Sequence, residues 1–204
     1  KNPISPKGSF FCNHTSFSKN TSPFNGAAIL VHSNINSVNS INAVIEDTAF
    51  EENTALMGGA IYYESSSINV TDSKFIKNIA NIGSHIFFSC TSSNVEKCIF
   101  QEGNGTTSTI ELTVSEGNGA YNFSKSNFFL DKGPFRANGQ GVTANLDSCC
   151  FLDYDEGQYF QYNFDKVFDS ANGGKIDLRG CTINDKYVQE GQGSISFNPD
   201  GLKN

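Results

Sequence analysis

The densest group of side chains that could bind a ligand is the acidic string DYDEG at residues 153–157. Alternating carboxylates followed by a glycine are similar to the start of a calcium-binding loop, so Asp153 and Asp155 are weak candidate calcium ligands. Such a loop ends in a glutamate at its twelfth position, where Phe164 stands here. The sequence therefore favours a solvated loop at this place, and it predicts no cofactor.

Residues that could act as catalytic acids, bases or nucleophiles do not fall into a known motif. A polysaccharide-degrading enzyme needs paired carboxylates, or carboxylates that hold calcium beside a basic residue. The N-T-D, G-H-G and R-I-K strings of polygalacturonases are absent, as is the G-x-S-x-G string of serine nucleophiles. The histidines, His14, His32 and His85, lie far apart, and His85 is interpreted as a turn residue. We predict no catalytic residue and no enzymatic activity.

The cysteines show no C-x-x-C spacing and so predict no zinc site; they are Cys12, Cys90, Cys98, Cys149, Cys150 and Cys181. Three of them, Cys98, Cys149 and Cys181, stand two residues before a large apolar residue, where Ser or Thr stands elsewhere. One interpretation is that they are buried thiols that serve as small apolar residues. The other is a disulfide between Cys149 and Cys181, or between Cys90 and Cys98, since stacked strands are close enough for a disulfide.

Five N-x-S/T sequons are candidate N-glycosylation sites, and they begin at Asn13, Asn20, Asn69, Asn104 and Asn122. Asn69 and Asn122 share with Asn94 and Asn145 a position just before an apolar residue. Successive side chains alternate in a strand, so we expect these four to point outward together. Asn20 falls at a position expected to be buried, which argues against its glycosylation. The sequons indicate a secreted or cell-surface protein of a eukaryote.

The elements that carry these side chains repeat along the chain. The spacing of Phe50, Asn53 and Gly58 recurs 25 residues later in a second copy, at Phe75, Asn78 and Gly83. Each copy has an apolar residue five positions before a large apolar anchor and a Ser, Thr or Cys two positions before it. Seven such anchors occur, 23 to 33 residues apart: Phe17, Phe50, Phe75, Phe100, Phe128, Phe151 and Ile183. We expect the anchors to form one internal stack.

Two further patterns accompany the anchors. Glycine-led strings that begin at Gly26, Gly58, Gly83 and Gly173 are predicted to mark one corner of the repeat, where glycine permits positive φ. An asparagine three residues after the anchor, at 20, 53 and 78, predicts a ladder of side-chain amides. The later copies have Gly103 and Asp131 at this position, so the ladder is expected to stop there.

A repeat of this length with strand-forming residues and no helical pattern predicts an all-β solenoid, a parallel β-helix of about 7–8 coils of roughly 25 residues. We expect one domain over residues 1–204, with the clearest repeats at 12–110 and degenerate coils at 111–204. A β-sandwich also has many short strands but gives no reason for the repeated residues. Long loops are expected at 18–25, 101–118, 131–142 and 153–172. The aromatic group at 154–168 either covers a flank of the core or forms an exposed platform.

The paired motif F-x-x-N and G-G-A-I, as in Phe50–Asn53 with Gly58–Ile61, resembles the repeats of the chlamydial polymorphic membrane proteins and of surface proteins of some protists. The resemblance covers residues 12 to 110. It implies a right-handed single-stranded parallel β-helix at the cell surface and a role in adhesion.

The charge and hydropathy of the chain argue against two classes of partner. The net charge of −7 and the pI of about 4.9 argue against a nucleic-acid partner. No apolar run is long enough for direct membrane insertion. We predict a non-enzymatic secreted or cell-surface module that binds a protein or glycan surface. The first alternative is a structural subunit that assembles end to end into a filament or matrix through unpaired strand edges. The second alternative is a carbohydrate-active β-helix enzyme.

Overall fold

The computed structural model describes residues 8–33, 41–129, 131–152, 168–183, 186–188 and 202–203. All regular secondary structure in these residues is β-strand. In chain order the strands are β1 (Gly8–Asn13), β2 (Ser16–Ser18), β3 (Ile29–His32), β4 (Ile41–Glu46), β5 (Ala49–Glu51), β6 (Ile61–Thr71), β7 (Lys74–Ile76), β8 (Ile79–Ala80), β9 (Ile86–Glu96), β10 (Ile99–Gln101), β11 (Asn104–Gly105), β12 (Ile110–Thr113), β13 (Gly119–Ser124), β14 (Asn127–Phe129), β15 (Phe135–Asn138), β16 (Val142–Asp147), β17 (Cys150–Leu152), β18 (Phe168–Ala171), β19 (Lys175–Arg179), β20 (Cys181–Ile183), β21 (Lys186–Val188) and β22 (Leu202–Lys203).

The strands form three sheets, of 11, 9 and 2 strands, and the chain returns to the same sheets in each repeat. The first sheet contains the long strands β6 and β9, and the second contains the short anchor strands from β2 to β20. Every described pair up to β20 is parallel, whereas β20 pairs antiparallel with β21 and β21 with β22. The parallel pairing of these strands therefore excludes the β-sandwich alternative, because the sheets of a β-sandwich are antiparallel.

The anchors lie in one column because each anchor strand pairs in register with the next. Phe17 is opposite Phe50, and the register continues without a slip to Phe151 opposite Ile183. Neighbouring phenylalanine rings are parallel, with centroids 4.4 to 5.3 Å apart. A single hydrophobic core extends along this column from Cys12 to Ile183.

The small residue before each anchor closes a tight bend. Its hydroxyl or thiol donates to the carbonyl oxygen two residues earlier, at 2.8 to 3.6 Å, in all seven copies. The residue between donor and acceptor has a φ of +44° to +60° in each copy; these residues are His14, Asp47, Asp72, Lys97, Lys125, Ser148 and Gly180. Ser, Thr and Cys recur because each can make this local hydrogen bond.

The glycine corner is real for three of its four predicted members. Gly26, Gly58 and Gly83 have φ of +59° to +63°, and a Cβ on any of them would lie 2.3 to 2.4 Å from a carbonyl oxygen. Gly173 is wrongly grouped with them. It lies between β18 and β19, and Ile176 after it pairs with Ala144 in a different part of the first sheet.

The predicted long loops are also wrong where the structure describes them. Strands β11 and β12 lie within 101–118, and β15 lies within 131–142. The segment 18–25 contains parallel bridges at Thr21 and Asn25. The described interruptions of the first sheet are short and lie at 114–118, 139–141 and 172–174. Residues 153–167 lie outside the described residues.

Candidate functional site

One row of side chains on the first sheet changes from apolar to charged along the stack. Consecutive strands place these residues opposite one another: Leu30, Tyr62, Phe87, Glu111, Arg136 and Asp169. Each residue in the row follows a buried core residue, so its side chain points away from the core. We call this set the outer row.

The charged half of the outer row is an arginine between two carboxylates. Arg136 Nη1 lies 3.5 Å from Glu111 Oε1, and Arg136 Nε lies 2.7 Å from Asp169 Oδ2. Ser108 Oγ donates to Glu111 Oε2 at 2.7 Å, and Asn138 Nδ2 donates to Oε1 at 3.0 Å. Burial raises the pKa of Glu111, and these neighbours offset part of the rise.

This cluster resembles a catalytic carboxylate site in its residue types, and the sequence analysis missed it. Its three ionisable members are 25 and 33 residues apart and share no local motif. Alignment of the residues that follow each core position would have placed them in one row. The Glu111 side chain is only 2% exposed, and both its oxygens are hydrogen-bonded within the protein. Such a carboxylate has no free face for a substrate in this arrangement.

The apolar half of the outer row is an aromatic pair. The Tyr62 and Phe87 rings stack with centroids 4.7 Å apart, and each residue is 8% exposed. The Tyr62 hydroxyl donates to Glu64 Oε2 at 2.9 Å, and His32 Nδ1 lies 2.8 Å from the same oxygen. Burial and the neighbouring Glu64 raise the pKa of Tyr62 to about 12.

Several large apolar side chains are exposed, and one of them, Leu30, lies opposite Tyr62 in the outer row. The described large apolar residues that face solvent are Phe11, Phe24, Leu30, Leu56 and Ile79. Phe24 is 73% and Leu56 46% exposed, and the two are neighbours because the Leu56 amide donates to the Phe24 carbonyl at 2.7 Å. The side chain of Asn25, next to Phe24, offsets part of the rise in the pKa of Tyr62 in the outer row. We call Phe24, Leu30 and Leu56 the apolar surface.

Inside the fold, a ladder of polar side chains crosses the repeats. Asn20 Nδ2 donates to Asn53 Oδ1 at 2.8 Å, and Asn53 Nδ2 donates to Asn78 Oδ1 at 3.0 Å. The sequence predicts that the ladder ends where Gly103 and Asp131 replace asparagine, and this prediction is wrong. Asn78 Nδ2 contacts His85 Nδ1 at 3.1 Å, and His85 Nε2 contacts Asp131 Oδ1 at 3.1 Å.

The side chain of His85 takes the place that an asparagine at position 103 would fill. A Cβ on Gly103 would lie 2.6 Å from His85 Nε2. His85 does lie in the bend before β9, as predicted for a turn residue, and its side chain is fully buried in the ladder. Since Asn78 Nδ2 is a donor, His85 Nδ1 must accept, and the ring proton lies on Nε2, which donates to Asp131. Neither His85 nor Asp131 is accessible to a ligand.

Both predicted disulfides are absent, and all six cysteines are free thiols. Cys149 and Cys181 are stacked neighbours, but each thiol faces backbone carbonyls, one in its own bend and one in the preceding repeat. The neighbouring Cys181 thiol and burial raise the pKa of Cys149. Cys90 and Cys98 face different carbonyls, those of Ser92 and Glu96, and burial raises each thiol's pKa to about 12.

The predicted glycosylation sites have different environments. Asn69, Asn94, Asn122 and Asn145 lie in register on the first sheet and are all exposed. Asn104 is exposed, Asn13 is half-buried, and Asn20 is half-buried as the outermost rung of the ladder.

The calcium candidates Asp153 and Asp155, and most of the aromatic group at 154–168, lie outside the described residues. Its last member, Phe168, is a core residue of β18 and is 1% exposed. Across the described ranges, no group of three or more His, Cys, Asp or Glu side chains is placed to hold a metal ion. The same residues contain no helix long and apolar enough to span a membrane.

Comparisons with protein-family models, with characterised proteins and with solved structures find no match to this chain.

Proposed function

We propose that the chain closes into a right-handed parallel β-helix of about 7–8 coils and acts outside the cell as a non-enzymatic adhesion or partner-binding module. The closure is supported by the parallel, in-register return of the chain to the same sheets in each repeat. The handedness and the surface location rest on the resemblance of the F-x-x-N and G-G-A-I motifs to surface-protein repeats. The partner is the surface of a protein or a glycan.

The observation that carries the binding role is the apolar surface. Phe24, Leu30 and Leu56 are 46 to 73% exposed while the core behind them is closed. Exposed aromatic and aliphatic groups beside a polar rim, here His32 and Glu64, are typical of surfaces that bind a partner.

The contacts of the ionisable groups favour a binding role over the carbohydrate-active alternative. Glu111 and Asp131 are the buried carboxylates of the described residues, and both are held by neighbouring side chains. A general acid or base needs a free path to the proton that it transfers. Neither carboxylate has such a path in this arrangement.

The filament alternative has support at both edges of the first sheet, where β1 at one edge and β18 and β19 at the other are end strands in the described residues, but at only one edge of the second sheet. Strands β1 and β2 are edge strands of their sheets in the described chain, and an edge can pair with a second copy. At the opposite edge the second sheet continues into the antiparallel strands β21 and β22. A parallel copy added there would first have to displace these strands.

The test is binding of the purified protein to protein, glycan and cell-surface arrays. A Phe24→Ser/Leu56→Ser double variant should lose most of the binding of the wild type. Phe11→Ser is the matched control, because Phe11 is 64% exposed but lies on β1 in the row of Val44 and Asn69. Equal binding by the double variant, or loss only with Phe11→Ser, would show that the partner binds elsewhere.

A further inference from the structure

A row of exposed asparagines follows the second half of the first sheet's long strands. Asn69, Asn94, Asn122 and Asn145 face one another in consecutive strands. The residue after each of them is buried, so the asparagines and the residues two positions later point outward. At about 4.8 Å per strand, Asn69 and Asn122 are roughly 10 Å apart.

We propose that Asn69 and Asn122 carry N-linked glycans, which cover this face of the first sheet and leave the apolar surface bare. The inference rests on the proposed extracellular function, because the modifying enzyme works in the secretory pathway. In the reaction the Nδ2 atom bonds to the first sugar carbon of a lipid-diphosphate-linked oligosaccharide. The bond from that carbon to the diphosphate breaks, the lipid diphosphate leaves, and the amide loses one proton.

The contacts of Asn122 survive this reaction. Asn122 Oδ1 accepts from Asn145 Nδ2 at 2.9 Å, and Asn122 Nδ2 donates to the Ser93 carbonyl at 3.5 Å. A glycosylated asparagine keeps its oxygen and one N–H, which is what these two contacts use. The sugar replaces the hydrogen that neither contact uses.

Asn20 shows the opposite environment. Its Nδ2 and its backbone N–H both donate to Asn53 Oδ1, at 2.8 and 3.1 Å. It is a rung of the ladder whose next members, Asn53 and Asn78, are fully buried. Asn20 is half-buried against these residues, whereas Asn69 and Asn122 are exposed. A sugar at Asn20 would crowd the ladder, so the folded secreted protein should lack a glycan there.

The experiment is secretion of the full chain behind a cleavable leader from a eukaryotic cell line. Glycosylated asparagines are read by mass spectrometry after glycosidase release in heavy-oxygen water, which converts them to labelled aspartate. We expect label at Asn69 and Asn122 and none at Asn20. Asn69→Gln and Asn122→Gln should each remove one glycan from the intact mass.

Unused asparagines of the same chain provide matched controls. Glu96→Thr and Asp147→Thr complete sequons at Asn94 and Asn145 in the same exposed row, and each should add one glycan. Ala55→Ser completes a sequon at the buried Asn53. Because transfer precedes folding, any glycan on Asn53 should occur only in the retained, misfolded fraction. Chains that are not secreted can be scored by the same mass shift in microsomes.

Unmodified Asn69 and Asn122 in the folded secreted protein would overturn the proposal, as would a glycan on Asn53 in that fraction. The mass measurement of glycan occupancy needs no binding partner. The glycosylation proposal can therefore fail while the proposed binding role holds, and the reverse. The Asn69→Gln/Asn122→Gln variant should bind the array ligands as well as the wild type. Loss of that binding would refute the assignment of this face as a covered, non-binding one.

Discussion

The His85 side chain fills the place that an asparagine at position 103 would take, and this arrangement predicts how two substitutions affect stability together. Other repeats place an alanine at the His85 position, as in Ala28 and Ala60, and an asparagine at the Gly103 position, as in Asn53 and Asn78. The double substitution His85→Ala/Gly103→Asn should therefore restore the standard rung. The backbone is already arranged for it, since Gly103 N donates to Asp131 Oδ1 at 2.7 Å, as Asn53 N does to Asn78 Oδ1 at 3.0 Å.

Each single substitution should be costly. His85→Ala leaves Asn78 Nδ2 and Asp131 Oδ1 each without one buried partner and opens a cavity, for about 3 kcal/mol of lost free energy of unfolding. Gly103→Asn alone forces a side chain against His85 Nε2, where a Cβ has only 2.6 Å, and should cost about 2–3 kcal/mol. The double variant should lose only about 2 kcal/mol, so the favourable coupling free energy should be about 3–4 kcal/mol.

The assay is equilibrium urea unfolding of the four proteins, with a common slope as the check that they unfold alike. Gly117→Asn is the matched control, because a Cβ on Gly117 meets no atom within 4 Å. Asparagine accepts a φ of +78° better than most side chains do but with some strain, so Gly117→Asn should cost no more than about 1 kcal/mol. Additive effects of His85→Ala and Gly103→Asn would refute the exchange of side chains between repeats.

Three further predictions concern the core and its ionisable groups. Phe75→Ala removes stacking on both sides of the ring and should lower the free energy of unfolding in urea by about 3–5 kcal/mol. Phe17→Ala removes one stacked neighbour at a partly exposed position and should cost less. Equal losses would contradict the continuous stack. The pKa of Glu111 is raised in the folded state, so the folded protein binds the carboxyl proton of Glu111 more tightly than the unfolded chain does. The contribution of Glu111 to stability therefore increases as the pH falls from above the folded pKa towards the unfolded pKa. Glu111→Gln should flatten the unfolding free energy over that range, and an unchanged pH profile would argue against the assignment. Iodoacetamide at pH 8 should label the half-buried Cys150 first and leave the buried Cys90 and Cys98 unmodified. A reductant should leave the melting temperature of the protein unchanged. A lower melting temperature in reductant would indicate a disulfide.

Much of the strand arrangement could be predicted from the sequence, because register in stacked parallel strands follows the repeat. A residue at a given place in one repeat faces the same place in the next, as Phe75 faces Phe50 and Phe100. The same logic places Asn69, Asn94 and Asn122 in one exposed row. The outer row could have been found in this way too, but its members were not compared because their residue types differ from repeat to repeat.

The polar ladder shows where this logic ends. Aligning repeats treats each position as if its side chain stayed within its own repeat. His85 breaks that assumption, because its ring reaches into the space above Gly103 and connects Asn78 to Asp131. Gly103 in the aligned repeats therefore indicated the end of the ladder, whereas the longer side chain of His85, from the preceding repeat, continues the ladder.

The sequence by itself determined the repeating unit, the inward anchors and the small residues before them, because burial and local hydrogen bonding require the same residue types in every copy. Only the tertiary structure decided which side chains cross between copies, how the carboxylates of Glu111 and Asp131 are held, and which connections are strands rather than loops. These features depend on distances between repeats that are more than 20 residues apart in the chain, and no local sequence pattern fixes such distances.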